Sequence, residues 1–321
     1  MDSKPREYKP ADLSLVKTYS VKDRPTKVRH EDFVQITRTN PSLLEFVDSL
    51  PHLLKADDLR GAADALADAY RLHRAVVVGI GGHVIKCGLG PLLIQLMERG
   101  VITAICMNGG ASIHDFEIAT IGTTSEDVAA SLETGMFGMV YETGEAMNAG
   151  IQAGDAQGWG MGYALGFELL RRKAPWLDQS VLAAGVRLNR PVMVHVAIGG
   201  DTIHMHANAN GAAIGATSYT DFRLLVSVLN DLSEGGVYLN IGSAVVLPEV
   251  FLKALNLARN LSSVPIEGFT TINMDMLQHY RPLENVVRRP TQKSTGTGYT
   301  LTGHHEIMVP LLFQLVLAKL K

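Results

Sequence analysis

His83 and Lys86 stand in an unusual place, in the stretch "VVVGIGGHVIKCGLGPLLIQLMERG" that runs from residue 76 to 100. An apolar run ends in glycines, and the first polar side chains after the turn are an imidazole and an amine. Three other stretches share the pattern. "ITAICMNGG" is followed by His114, Asp115 and Glu117, "VMVHVAIGGD" ends in Asp201 with His204 and His206 just beyond, and "GVYLNIGS" ends at Ser243. Histidine titrates near neutrality and serves as a general base. Carboxylates hold cations or ribose hydroxyls. A lysine at the start of a helix opposes the helix dipole, so its placement there calls for an anionic partner. His204 and His206 lie two apart. On a strand both would share one face, which suits a metal, with Asp201 as a third ligand and His279 or His304 as a fourth. The alternative is that one of the pair joins a core polar network and the other packs. The chemistry these residues allow is therefore acid–base, anion-binding or metal-assisted.

The elements that must position them follow from periodicity. Each glycine turn closes a short apolar run and precedes a helical pattern, and a fifth run, "GFTTINMD", lacks the glycine pair. Strands alternating with helices make parallel βαβ units, and burial on both faces explains strands that are almost wholly apolar. The expected fold is α/β, a parallel sheet with helices on both faces. In such a sheet the glycine-bearing strand ends lie along one edge and ligands bind in the crevice there. Glycine allows a sharp turn and close approach, and the next helix offers free N–H groups to phosphate. The spacing "GIGGHV" does not match G-x-G-x-x-G, so the ordinary dinucleotide fingerprint is absent.

Residues 1–40 are polar, with Pro5, Pro10 and Pro25 within them and Pro41 just beyond, show no clear periodicity and read as an N-terminal arm; 41–321 reads as one α/β domain, opening with two helices broken near Pro51. The segment 135–170 is rich in Gly, Ala and Met, which suits closely packed helices, and it is apolar enough to meet another subunit. Composition excludes several classes. Apolar residues make up 46% and net charge is −3, so there is no electrostatic footprint for nucleic acid or an acidic membrane. No apolar run approaches the ~18 residues that span a bilayer. The start "MDSKPREYKP" has no signal-peptide pattern, and Cys87 and Cys106 make neither a metal spacing nor a disulfide framework. A reducing, cytoplasmic location fits.

Six stretches in order resemble the deoxyhypusine synthase-like family: "GGHVIKCGLGPLLIQLMERGV", "NGGASIHDFEI", "GGDTIHMH", "YLNIGSAVVLPEVFLKALNLARN", "YRPLENVV" and "HHEIMVPLL". The resemblance covers about 75–315. It implies a Rossmann-like fold, NAD as cofactor and a homotetramer, or at least a dimer, with sites at the subunit interface. Matched residue by residue, cofactor contacts fall at Gly81, Gly82, His83 and Lys86, at Asn108, Gly109 and Gly110, at Gly242 and Ser243, with Asp115 as the ribose acid and His304 on the adenosine side. Asp201 and Glu284 match substrate-binding acids, and Asp201, His204, Glu284 and Lys86 are the candidate catalytic set. Arg281, Arg288 and Arg289 near Glu284 point instead to a carboxylate or phosphate on the substrate.

The chain also departs from that pattern. The family's imine-forming lysine meets Pro290, its tryptophan meets Arg288, and its base-like histidine meets Pro248, with Glu249 next. Lys293 lies three residues beyond Pro290. The expectation is an NAD-dependent enzyme acting on a small amine or related molecule that does not make deoxyhypusine. The competing readings are a metal-dependent hydrolase built on Asp201, His204 and His206, and a nucleotide-binding homologue without catalysis.

Overall fold

A computed structural model describes residues 9–25, 27–35, 39–292 and 295–321; Lys293 lies outside them. The described part of the arm forms three short 3-10 turns and has no buried residue. It touches the body through Gln35 N–H to Ser49 O and His52 N–H to Asp32 O.

Two helices open the body, α1 (Leu43–Ser49) and α2 (Leu54–Arg71), separated at Pro51. Ser42 and Glu45 form a reciprocal capping box on α1. Then come β1 (Val76–Ile80), the one-turn helix α3 (Gly82–Lys86), α4 (Gly90–Glu98), β2 (Ala104–Asn108) and α5 (Gly109–Ile121). The exposed helix α6 (Val128–Glu133) leads to α7 (Tyr141–Ala156), α8 (Met161–Arg172), α9 (Val181–Arg187) and β3 (Val192–His195). The second half runs α10 (Gly211–Val228), β4 (Val237–Ile241), α11 (Val246–Leu261) and β5 (Thr270–Asp275). Next are α12 (Tyr280–Pro282), which continues into a π-helical turn Leu283–Arg288, then β6 (Thr297–Thr302) and α13 (His305–Lys319).

All six strands are parallel, in the order β3-β2-β1-β4-β5-β6. The chain winds outward from β1 to β3, then returns to the other side of β1 and winds to β6. That reversal opens a crevice at the carboxyl ends of β1 and β4, where Ile80 pairs with Ile241. The fold is α/β with helices on both faces. Val76, Val78 and Ile80 enter one buried cluster with residues of α2, α4, α5 and α13, while Val77 enters the other with α10 and α11. Period-two alternation thus divides one apolar strand between two cores.

The five expected strands are all present. The sixth, "TGYTLT", escapes an apolar-run search because it is an edge strand with only Leu301 buried. Gly61 of α2 makes room for Tyr299 on it, since a Cβ there would fall 2.5 Å from the phenol oxygen. The Gly- and Ala-rich helices pack within the chain. A Cβ on Gly154 would lie 2.4 Å from that of Ala164, and one on Gly162 would lie 1.8 Å from Val192 O. These small residues serve helix–helix and helix–strand contact inside the subunit, so they are not the reason to expect a partner.

Candidate functional site

The glycine turns converge at one edge, but two of them serve each other before any ligand. Gly81 donates its N–H to Ile241 O at 2.9 Å, and a Cβ on it would lie 2.1 Å from Gly242 O. Gly242 adopts φ +65°, and a Cβ there would strike the His305 ring at 2.7 Å. A Cβ on Gly82 would lie 3.1 Å from His114 and 3.3 Å from the Gly110 carbonyl carbon. The β1 turn is therefore wedged between the β4 and β2 turns. Gly110 is different: a Cβ there would meet only Asn108 Oδ1, at 3.7 Å.

Gly110 faces a cavity of about 520 Å³ at the β2 end of the edge. Lys86, His114, Glu117, Asp201 and His206 supply its polar walls. Two helices, α3 and α5, and the turn after β3 set these groups. α5 begins at Gly109 because Asn108 caps it, accepting from Ala111 N–H at 2.8 Å, and it carries His114 and Glu117 one turn apart. Thr124 Oγ1 donates to Glu117 Oε2 at 2.5 Å and so accepts from His114 Nδ1 at 2.6 Å. That leaves His114 Nε2 without a proton. Burial, helped by the Lys86 charge, pushes the His114 pKa down to about 4, so the ring is neutral at pH 7 and able to accept a proton.

Asp201 rests against the amino end of α5. A Cβ on Gly109 would overlap its carboxylate at 2.0–2.3 Å. Burial raises the Asp201 pKa to about 6, against a hydrogen bond from the Ala197 amide. Its Oδ2 is buried and has no hydrogen-bond partner among the described residues. A buried acceptor without a donor is uncommon, and Asp201 also lines the cavity.

Several expected site residues are placed elsewhere. His204 and His206 are not on a strand: β3 ends at His195, and Thr202–Met205 form a 3-10 turn. The two rings diverge. His204 Nδ1 accepts from Gly199 N–H at 3.3 Å, while His206 Nε2 donates to Gly138 O at 2.9 Å. Among the described residues no three His, Cys, Asp or Glu side chains are grouped to hold a metal ion. Asp115 is fully buried, accepting from Ser180 Oγ at 2.6 Å, Val181 N–H at 2.8 Å and Leu182 N–H at 3.1 Å. It caps α9 rather than facing a ribose. Burial raises its pKa to about 6, more than those bonds lower it. Ser243 is likewise buried, its Oγ accepting from Leu247 N–H at the start of α11.

Glu284 lies on the π-helical turn after β5, paired with Arg288 at 2.7 Å and Arg289 at 3.8 Å. Asp201 follows β3, four strand spacings away, or roughly 19 Å at the usual separation. The structure does not bring the two acids together. Arg281 pairs with Glu249 at 3.3 Å, so all three arginines already face a carboxylate within the chain. Lys86 ends α3 instead of starting a long helix, a position the helix dipole favours for a cation. Pro248 is buried in the first turn of α11, and Pro290 O accepts from Arg259 Nη2 at 3.1 Å.

His304 is exposed, 3.9 Å from Glu306. Its neighbour His305 is the ring that enters the crevice, 1% exposed, with Nδ1 2.9 Å from His83 Nδ1 and Nε2 3.6 Å from Asp275 Oδ1. His305, Asp275 and Cys87, which lies 3.4 Å from His83, are site-edge residues that sequence reasoning missed. The signal for the first was the doubled histidine in "GHHEI" just ahead of an apolar helix; the second closes the strand "GFTTINMD".

No protein-family model matches the chain, and no curated protein matches it in sequence. Solved structures do. A chain described as a conserved LOR/SDH protein from Methanococcus maripaludis S2 matches with a TM-score of 0.51 at 14% identity, over 83% of this chain and 70% of that one. A chain described as a deoxyhypusine synthase from Entamoeba histolytica matches with a TM-score of 0.50 at 10% identity, over 88% and 95%. AgrE, in a ternary complex with ornithine and NAD+, matches with a TM-score of 0.50 at 14% identity, over 84% of this chain and 34% of that one, so the present chain spans about a third of AgrE's length. What these likenesses share with the six-stranded parallel sheet is the fold.

Proposed function

We propose that this chain is an NAD-dependent enzyme that acts on a small molecule bearing an amine or a related group, in the cavity at the β2 end of the sheet edge. The observation that carries the reading is the cavity itself, where an open glycine turn, a cation, a neutral histidine and an unpartnered carboxylate face one space. The residues present suit the cofactor. Gly110 lets the cofactor approach the backbone, Lys86 offers positive charge to a pyrophosphate, and the amino end of α5 offers N–H groups. Asp201, on the cavity wall, takes a donor from the ligand, whether a ribose hydroxyl or a substrate ammonium. NAD, when bound, supplies the hydride acceptor. His114 Nε2 takes the proton that leaves the substrate, held in its tautomer by Thr124 and Glu117. Asp201 and Lys86 remain from the expected catalytic set; His204 and Glu284 do not enter the cavity wall.

Likeness in fold to AgrE, crystallised with ornithine and NAD+, supports the reading without naming a substrate. The reaction is not deoxyhypusine formation, because the matched positions are Pro290 and Pro248, which offer neither a primary amine nor an imidazole. The protein works as a homo-oligomer in a reducing cytoplasm on this reading. The test is to incubate it with NAD and a panel of amines and amino acids and follow reduced nicotinamide by absorbance. Turnover on at least one member that falls by about 10²-fold or more in His114→Ala is expected. A protein that binds NAD but reduces none with any member would leave a binding protein in place of an enzyme.

A further inference from the structure

One wall of the cavity is a separate piece of chain, 122–140, and little holds it down. Its helix α6 buries none of its residues, and Leu132 and Met136 on the same piece are 64% and 59% exposed. The piece leaves α5 at Gly122, φ +74°, where a Cβ would fall 2.8 Å from Trp176 Nε1. It turns again at Gly135 and Gly138, φ +72° and +73°. Thr124, Val128, Phe137 and Val140 face the cavity from it. A segment with so few buried apolar contacts opens locally at a small free-energy cost.

Between its two ends, among the described residues, hydrogen bonds tie this piece to the rest of the chain at Thr124 and at Gly138. Glu126 Oε1 accepts from Gly138 N–H at 2.7 Å, which folds the piece back on itself, and His206 Nε2 donates to Gly138 O at 2.9 Å. Gly144 of α7 gives the His206 ring its seat, since a Cβ there would fall 2.2 Å from it. A Cβ on Gly138 would strike Thr202 at 2.6 Å, so the piece rests on the turn that follows Asp201. Thr124 is the other point, its Oγ1 set between His114 Nδ1 and Glu117 Oε2. Glu117 has a second partner on α7, because Thr143 Oγ1 donates to its Oε1 at 3.2 Å. Lifting the piece therefore takes Thr124 away from His114 and leaves Glu117 held.

We infer that 122–140 is a strap that closes over the cavity, latched at Gly138 by Glu126 and His206, and that closing it seats Thr124 as the positioning residue of His114. The effect of closure on turnover rests on the reading of His114 as the proton acceptor. With the strap shut, the Thr124 hydroxyl proton goes to Glu117, its oxygen takes the Nδ1 proton of His114, and Nε2 keeps its lone pair. With the strap lifted, the Nδ1 proton loses its acceptor. The ring is then free to take the Nε2–H tautomer, in which Nε2 accepts nothing. Cover and base are one device: His114 is set to take a proton when the cavity is closed over its ligand.

The experiment uses the full-length, ligand-free protein and two readouts. Hydrogen exchange followed by mass spectrometry should show peptides of 122–140 exchanging together, and faster than those of α5. His206→Ala should speed them by about threefold to tenfold, the equilibrium effect of one hydrogen bond, with β1 and β2 peptides unchanged. Glu126→Ala, at an exposed position, should act in the same direction, and a variant that fails to fold would show itself by fast exchange in β1 and β2. Nitrogen-15 spectra of the histidine rings, with His114 assigned by its loss in His114→Gln, should show Nδ1–H in the wild type. Thr124→Val should shift that ring to Nε2–H, and Thr124→Ser should keep the wild-type form. Neither readout needs turnover, so a protein that reduces no NAD would remove the enzyme reading while the strap stands or falls on these results. Exchange in 122–140 as slow as in α5, no acceleration in either latch variant, or Nδ1–H retained in Thr124→Val would each overturn the assignment.

Discussion

His304 and His305 are adjacent in sequence and opposite in circumstance. One is solvated at a helix start; the other is enclosed by Gly242, His83 and Asp275. Enclosure also governs His195, which ends β3 at 3% exposure with Nε2 unpartnered among the described residues. Burial pushes its pKa down to about 4. The folded value lies below that of the unfolded chain, so its contribution is fully present above about pH 6.5 and is lost as pH falls toward 4. Asp115 and Asp201, raised to about 6, and Asp221, raised to about 7, act in the opposite sense: their contribution is present at low pH and fades as pH rises through those values. A wild-type-minus-variant comparison cancels them. Thermal unfolding of His195→Gln should show less destabilisation between pH 7 and pH 4.5 than wild type, by on the order of 2 kcal/mol. Equal losses in both proteins would mean that the ring is solvated in the folded state.

The elements separate glycines that hold the fold from the one that faces the cavity. Gly81→Ala should cost about 1–3 kcal/mol or more, because its Cβ meets the carbonyl oxygen of Gly242 rather than a movable side chain. Gly110→Ala should leave the melting temperature unchanged or slightly higher, since the position is helical and uncrowded, yet weaken NAD binding. Equal melting temperatures in the two variants would contradict the interlocked turns. The same distinction explains what the sequence made legible. Five strands declare themselves because parallel strands are buried on both faces, and the glycines after β1, β2 and β4 mark the edge at their carboxyl ends. β6 is hidden by being an edge strand rich in threonine. The reading in which His204 and His206 share a strand face fails because "IGGD" takes the chain out of the sheet after His195, and period-two reasoning ends where the strand does. Asp115 looked like a ribose acid by motif position, but its partners on α9 are 65 to 67 residues away and leave no local mark.

At the scale of the whole molecule, apolar side chains remain exposed around the cavity mouth and on α8. Ile121, Val128 and Val140 line the cavity and are each at least 40% exposed, and Tyr163 and Phe167 stack on each other at the surface. Exposed apolar groups gathered in this way call for a covering surface. Light scattering should give at least twice the 34.7 kDa of one chain; a monomer at all concentrations would contradict this. The central claim is that the edge between β1 and β2 binds NAD, and titration calorimetry tests it most directly. The wild-type protein should give saturable heat with NAD, and Gly110→Ala, with its fold intact, should bind about tenfold or more weakly. No heat at millimolar NAD, together with no nucleotide released when the purified protein is denatured, would contradict the account.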